Sequence, residues 1–272
     1  MQQYDLMIVG GGPGGYVAAI RGAQLGFKTA LVEREHLGGV CLNWGCIPTK
    51  AMLRGADIAH TLKEAEHFGF TIDNVSFDIN KLVQHSRSVA SKLSQGVAYL
   101  MQKNNITVID GTASLADKCR LEVTHNGAVT QYNATHIILA TGARARNLPN
   151  IEIDGDFIWG AREAMTPTAL PNNLLVIGAG AIGVEFASMY NDLGTNVTLV
   201  EAETRITPAE DIEISQIAEK SFQKRGIKVL TNSLVESVER AGTGSVARIN
   251  GPDGKQELAF DQVILAVGIR GN

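Results

Sequence analysis

Two stretches of the chain, residues 4–33 and 173–201, carry one pattern at one spacing. "YDLMIVGGGPGGYVAAIRGAQLGFKTALVE" and "NLLVIGAGAIGVEFASMYNDLGTNVTLVE" each run from a short apolar segment into a glycine cluster. A helical pattern, a Leu-Gly stop and a second apolar segment ending in Val-Glu then follow. Gly10 to Gly26 is 16 positions, as is Gly178 to Gly194, and Gly10 to Glu33 is 23, as is Gly178 to Glu201. A single G-x-G-x-x-G is weak evidence, whereas two copies in β-α-β context with an acid at the same distance predict two dinucleotide-binding units. The length of 272 residues suits two domains, so the expected fold class is α/β with two Rossmann-like units.

The chemistry accounts for the spacing. Gly10 and Gly178 allow the tight turn out of the strand, Gly12 and Gly180 let the backbone approach a pyrophosphate, and Gly15 and Gly183 let helix and strand pack closely. Pro13 and Gly14 in the first loop, and Ala181 and Ile182 in the second, complete the expected cradles at the helix N-termini, where N–H groups and the dipole favour phosphate. Glu33 and Glu201 are expected to accept hydrogen bonds from ribose hydroxyls. The alternative is a glycine-rich turn without a ligand.

The repeat extends to "HIILATGAR" (136–144) and "QVILAVGIR" (262–270), each preceded by short strands and turns such as "THNG" and "INGPDGK". The expected boundary falls in "ARNLPNIEIDGD", giving units 1–146 and 147–270, with a helical insert at 51–103 in the first.

Between the repeats stands "GGVCLNWGCIPTK" (38–50). In a regular helix, Cα atoms five apart are roughly 8.7 Å from each other, beyond the limit of about 7 Å for a disulfide. Gly45 and Pro48 both work against a regular helix there, so a distorted turn is expected. Two thiolates without a second pair or nearby histidines cannot complete a zinc site, so no metal is expected. A dithiol–disulfide centre fits Cys41 and Cys46 better, and Lys50, one helical turn after Cys46, could stabilise a thiolate or a reduced cofactor. Lys50 could equally be a solvated surface lysine. Cys119, in the strand-like run "LADKCRLEV", is expected to be a small core residue.

Three cysteines are too few for a disulfide scaffold. No apolar run approaches the roughly 20 residues of a membrane span, and "MQQYDLMIVGGG" has no basic leader region. A cytoplasmic location is therefore expected. The net charge of −4 gives no reason to expect a nucleic-acid partner.

A glycine-cradled dinucleotide, a C-x4-C eight residues after the acid, and a second cradle together resemble the flavin disulfide reductases across essentially the whole chain. The resemblance implies FAD in the first unit and NAD in the second. Within the family, Leu42 and Trp44 resemble members that oxidise dihydrolipoamide, the lipoyl-domain substrate of 2-oxo acid dehydrogenase complexes, more than those acting on glutathione disulfide or mercuric ion. It further implies that Cys46 faces the flavin, that Cys41 exchanges with substrate, and that Lys50 pairs with Glu185, which could alternatively be an acid complementing its helix dipole. Ala113, Thr141 and Gly142 match positions near the FAD adenosine, and Val235 and Gly268 match positions beside NAD. Glu201, followed by Ala202 and Glu203, favours NAD over NADP, and Arg205 is expected to be a surface residue.

The resemblance implies that full-length relatives are homodimers that continue with a returning Gly-Asp strand completing the FAD unit and with a dimerisation domain whose His-Glu pair supplies the base across to the partner subunit. The chain is therefore expected to be an incomplete version with little lipoamide turnover of its own, or a dinucleotide-binding fragment without catalysis.

Overall fold

A computed structural model describes residues 2–272. In chain order the first elements are β1 (Gln2–Val9), α1 (Pro13–Gln24), β2 (Thr29–Glu33), α2 (Gly39–Trp44), α3 (Cys46–Lys63) and α4 (Ile79–Lys103). Strands β3 (Thr107–Asp110), β4 (Thr112–Asp117), β5 (Arg120–His125) and β6 (Ala128–Leu139) follow. Next come β7 (Ala143–Ala145), β8 (Ile158–Trp159), α5 (Ala161–Ala164), β9 (Asn173–Ile177), α6 (Ala181–Asp192), β10 (Asn196–Val200), α7 (Ile212–Lys224) and β11 (Lys228–Leu230). The chain finishes with β12 (Leu234–Ala241), β13 (Gly244–Gly251), β14 (Gly254–Phe260), β15 (Gln262–Leu265) and β16 (Ile269–Gly271).

Two compact units emerge. The first comprises residues up to Pro48, Arg87–Ala143 and Gly271–Asn272, and the second Thr49–Ser86 and Arg144–Arg270. The insert expected at 51–103 is thus two helices joined by a 3-10 turn (Ala65–Phe68), and its first helix groups with the second unit. The reason lies in side chains that the sequence pattern did not reveal. Thr49 Oγ1 donates to Met165 Sδ at 3.2 Å, and Lys63 Nζ donates to the Asp192 carbonyl at 2.7 Å.

The first unit holds a six-stranded sheet in the order β3-β2-β1-β6-β5-β4. Strands β1, β2 and β3 run parallel, as do β1 and β6, while β4, β5 and β6 form an antiparallel meander. Strand β6 serves both parts: residues 128–133 pair with β5 and residues 132–139 with β1. The β5–β6 turn uses Asn126 and Gly127, both at positive φ, the backbone that a tight hairpin needs.

The second unit repeats the plan with a parallel sheet, β11-β10-β9-β15-β8, and a separate antiparallel sheet, β12-β13-β14. Strand β9 is buried on both faces, with Leu174, Leu175 and Val176 fully covered, as expected for the centre of a parallel sheet. Residues of β13 and β14, among them Ala247, Ile249 and Phe260, share a core with Leu175, Ile177 and Val263.

The duplicated glycines show why the spacing recurs. After β1, Gly10 (φ +107°) passes under the Ala140 carbonyl; after β9, Gly178 (φ +96°) passes under that of Ala266. A Cβ on either would meet that oxygen at 2.2 or 2.6 Å. A Cβ on Gly15 would lie 1.7 Å from the Gly10 carbonyl oxygen, and one on Gly183 would lie 1.8 Å from that of Gly178. A Cβ on Gly12 would find its nearest neighbour, Gly39 Cα, 3.8 Å away, and one on Gly180 would meet nothing within 4 Å. Gly15→Ala and Gly183→Ala are therefore expected to destabilise their units by about 2 kcal/mol or more, as backbone overpacking does. Gly12→Ala is expected to leave urea unfolding nearly unchanged; equal midpoints for Gly12→Ala and Gly15→Ala would refute this.

Candidate functional site

Each cradle is held by its own carboxylate. Glu33, at the end of β2, accepts from Gly11 N–H through Oε2 at 2.6 Å, and through Oε1 from Arg34 and Glu35 N–H at 2.8 Å. Glu201, just after β10, accepts from Ala179 N–H through Oε2 at 2.6 Å and from Glu203 N–H through Oε1 at 3.0 Å. Both residues are thus struts of the glycine turns as well as candidate ribose acceptors. A carboxylate offers about four lone-pair sites, so Glu201 retains more capacity for a hydroxyl than Glu33. Neither α1 nor α6 has a side-chain cap at its N-terminal glycine. The ends of both helices and the open space at Gly12 and Gly180 fit phosphate groups.

The remaining predicted cofactor positions are distributed as follows. Pro13, Gly14, Ala181 and Ile182 are exposed at the first turns of α1 and α6. Ala113 lies on β4 opposite Val123. The carbonyls of Thr141 and Gly142 accept from Asn272, from its side chain at 2.8 Å and its backbone at 3.1 Å. Val235 sits beside a bulge in β12, and Gly268, at φ +101°, presents its carbonyl to Arg146 N–H at 3.1 Å. Arg205 is half-buried and donates to the Pro208 carbonyl at 2.8 Å, so the expectation of a surface residue is corrected.

The cysteine stretch breaks as its composition requires. Helix α2 stops at Trp44, Gly45 adopts φ −150° and ψ −122°, and α3 starts at Cys46. Cys41 is half-buried within α2, while Cys46 is exposed at the N-terminal end of α3. Lys50 is exposed one turn further along α3. Its Nζ meets Glu185 Oε1, on α6, at 2.6 Å. With the lysine side chain 59% exposed and the glutamate 28%, this pair contributes under about 1 kcal/mol to stability. Its value lies in fixing the direction of a charge. Cys119, expected in the core, is instead exposed in the turn between β4 and β5. The break after Asp117 puts it outside the alternating strand face, and only its backbone carbonyl is engaged, by Ala134 N–H.

Some residues at the cysteine turn carry no role in the sequence reading. Gly38 N–H donates to the Gly11 carbonyl at 2.8 Å and Gly39 lies against Gly12, so the cysteine turn is built onto the first cradle. The Gly-Gly pair ahead of Cys41 was the available signal. Asn43 Nδ2 donates to the carbonyls of Leu37 and Gly39 at 3.0 Å, and Ser94 Oγ donates to Leu37 at 2.9 Å. Arg87 Nη1 donates to the Asn43 carbonyl at 2.7 Å, with its guanidinium 4.2 Å from the Trp44 ring centroid. Burial pulls the Arg87 pKa below the ordinary guanidinium value. A lone arginine in a helical pattern offers no signal in sequence. Among the described residues, no group of three or more His, Cys, Asp or Glu could hold a metal, and no helix is long and apolar enough to cross a membrane.

A duplicated β-α-β scaffold with a cysteine pair mounted on its first cradle defines the class of two-dinucleotide disulfide oxidoreductases. The chain belongs to the pyridine nucleotide-disulphide oxidoreductase family, which matches residues 4–272. It is 49% identical over 271 residues to a dihydrolipoyl dehydrogenase of Zymomonas mobilis, covering 99% of this chain and 58% of that protein. It is 47% identical to one of Rhizobium etli, covering 100% and 60%. Among solved structures it resembles LpdA from Mycobacterium tuberculosis, with TM-score 0.90 and 27% identity, over 100% of this chain and 60% of that one. A flavoprotein disulfide reductase, RclA from Escherichia coli, gives TM-score 0.84 at 27% identity, covering 99% and 57%. The chain thus spans about three-fifths of the length of the relatives it matches.

Glu201 is 8% exposed, and both its oxygens bind backbone. An amide keeps one acceptor oxygen only, so Glu201→Gln is expected to cost about 1–3 kcal/mol in urea unfolding. Glu33→Gln, at a more open position, is expected to cost less. A Glu201→Gln protein as stable as its parent would remove the strut role.

Proposed function

We propose that the chain carries the dinucleotide-binding and dithiol parts of a dihydrolipoyl dehydrogenase, which oxidises dihydrolipoamide and passes the electrons to NAD. The observation that carries this reading is the break at Gly45, which places Cys46 exposed at a helix start and one turn ahead of Lys50. The identity of 49% to a named dihydrolipoyl dehydrogenase supports the substrate class.

In this reading residues 1–146 bind FAD and residues 147–270 bind NAD. Gly10, Gly12 and Gly15 receive the FAD pyrophosphate with Glu33 toward the ribose; Gly178, Gly180, Gly183 and Glu201 do the same for NAD. The carboxylate of Glu201 disfavours a 2′-phosphate, and Arg205 already serves the Pro208 carbonyl, so NAD is favoured over NADP. Flavin, when bound, supplies the conversion between dithiol chemistry and hydride transfer to nicotinamide.

The chain's own residues do the rest. A deprotonated substrate sulfur attacks Cys41 of the oxidised pair, so that the Cys41–Cys46 bond breaks as the mixed disulfide to Cys41 forms. Cys46 then takes the electron pair of the broken bond, at the exposed start of α3. Glu185 holds the Lys50 ammonium in place. The partners proposed for the whole enzyme are a lipoyl domain of a 2-oxo acid dehydrogenase complex and a second copy of the same protein, in the cytoplasm.

Cys41→Ser, purified with flavin, is expected to absorb at long wavelength without any reductant, because in this reading Cys46 would be the sulfur left beside the flavin. Cys46→Ser is expected to lack that band even after dithiol treatment. Identical spectra from the two variants would refute the assignment of Cys46.

A further inference from the structure

Helix α2 ends at Trp44 and α3 begins at Cys46, so Gly45 alone separates the last carbonyls of one helix from the first N–H groups of the next. Arg87, on α4, is placed at that junction. Its Nη1 takes the Asn43 carbonyl, one of the last of α2, and its plane covers Trp44, which ends the helix. Neither Nε nor Nη2 has a hydrogen-bond acceptor among the described residues, and both atoms are sealed from solvent. The guanidinium charge is therefore shared with one neutral carbonyl and one indole face. No carboxylate takes it up.

A half-buried cation with no counter-ion among the described residues favours any negative charge that forms nearby. The reduced pair can carry such a charge as a thiolate, whereas the disulfide carries none. Stabilising the reduced form of a cysteine pair makes its disulfide more oxidising. We propose that Arg87 is a positioning residue for the redox turn: it holds the Asn43–Trp44 end in place and shifts the Cys41–Cys46 equilibrium toward the dithiol. This rests on Cys41 and Cys46 being the redox pair.

The test is a redox titration of the full chain with its flavin, in a Cys119→Ser background that removes the exposed third thiol. Mixtures of reduced and oxidised dithiothreitol set the poise; acid quench, alkylation and mass measurement of the Cys41–Cys46 segment read the state. Reduction moves two electrons and two protons from dithiothreitol, which closes to its own cyclic disulfide, onto the protein disulfide, which opens to two thiols. Arg87→Gln is expected to shift the equilibrium about tenfold toward the disulfide, about 30 mV more negative. Arg87→Lys, which keeps the charge and loses the stack, is expected to stay within about threefold of the parent. A merely structural role would lower the melting temperature of both variants and leave the potential alone. Equal potentials for the parent and Arg87→Gln would overturn the proposal; should Arg87→Gln not fold, a tenfold shift in Arg87→Lys would do so. A parent that forms no disulfide at any poise would take the redox reading down as well.

Discussion

The fold depends on a backbone contact that no side chain could replace. Where β1 ends, Gly10 turns beneath the Ala140 carbonyl, and its own carbonyl points at Gly15 with space for a hydrogen only. The turn, the first turn of α1 that follows it and the sequence-distant end of β6 converge on that point. The same convergence recurs at Gly178, Gly183 and Ala266. The "LATG" and "LAVG" segments repeat in the sequence because each must lay its alanine carbonyl across its own glycine turn. Ala140 and Ala266 N–H donate to Val9 and Ile177 at 2.8 Å in both units, which fixes the height of that crossing.

From this anchor the first cradle extends to the cysteines. Gly38 and Gly39 pack onto Gly11 and Gly12, Asn43 closes the loop that follows, and α4 ties it down through Ser94 and Arg87. The cysteine pair therefore moves with the cradle rather than on a loose loop. Gly45 interrupts the helix at the one place where two helical termini can be set end to end, leaving Cys46 at the start of the second.

The parts of this arrangement that follow from backbone necessity were legible in the sequence. Two equal glycine-to-acid spacings, a helix that breaks at Gly45, and strands β6 and β15 stand in the structure as the sequence requires, whereas Pro48 sits in the first turn of α3, where its missing N–H costs no hydrogen bond. What was not legible rests on tertiary contacts between elements with ordinary sequences. Nothing in "AMLRGADIAH" shows that its helix will group with the second unit through Thr49 and Lys63. A strand-like run hid the turn at Cys119, because a two-residue hairpin end differs little in hydropathy from the strands it joins. The same holds for Arg87, whose role lies wholly in what it covers.

The two carboxylate struts have a consequence for selectivity. Glu33 and Glu201 each hold their turns by an N–H at 2.6 Å, and both turns meet β2 or β10 through a glycine N–H at 2.8 Å. Apart from the bias of a carboxylate against a 2′-phosphate, two turns built on the same contacts offer little in themselves to tell one of the proposed dinucleotides from the other. Discrimination must come from the surroundings, and those differ: a cysteine turn built on the first cradle, an antiparallel sheet packed against the second. The duplicated motif is then a common frame, and in the proposed reading the identity of each guest is written in the segments that diverged around it.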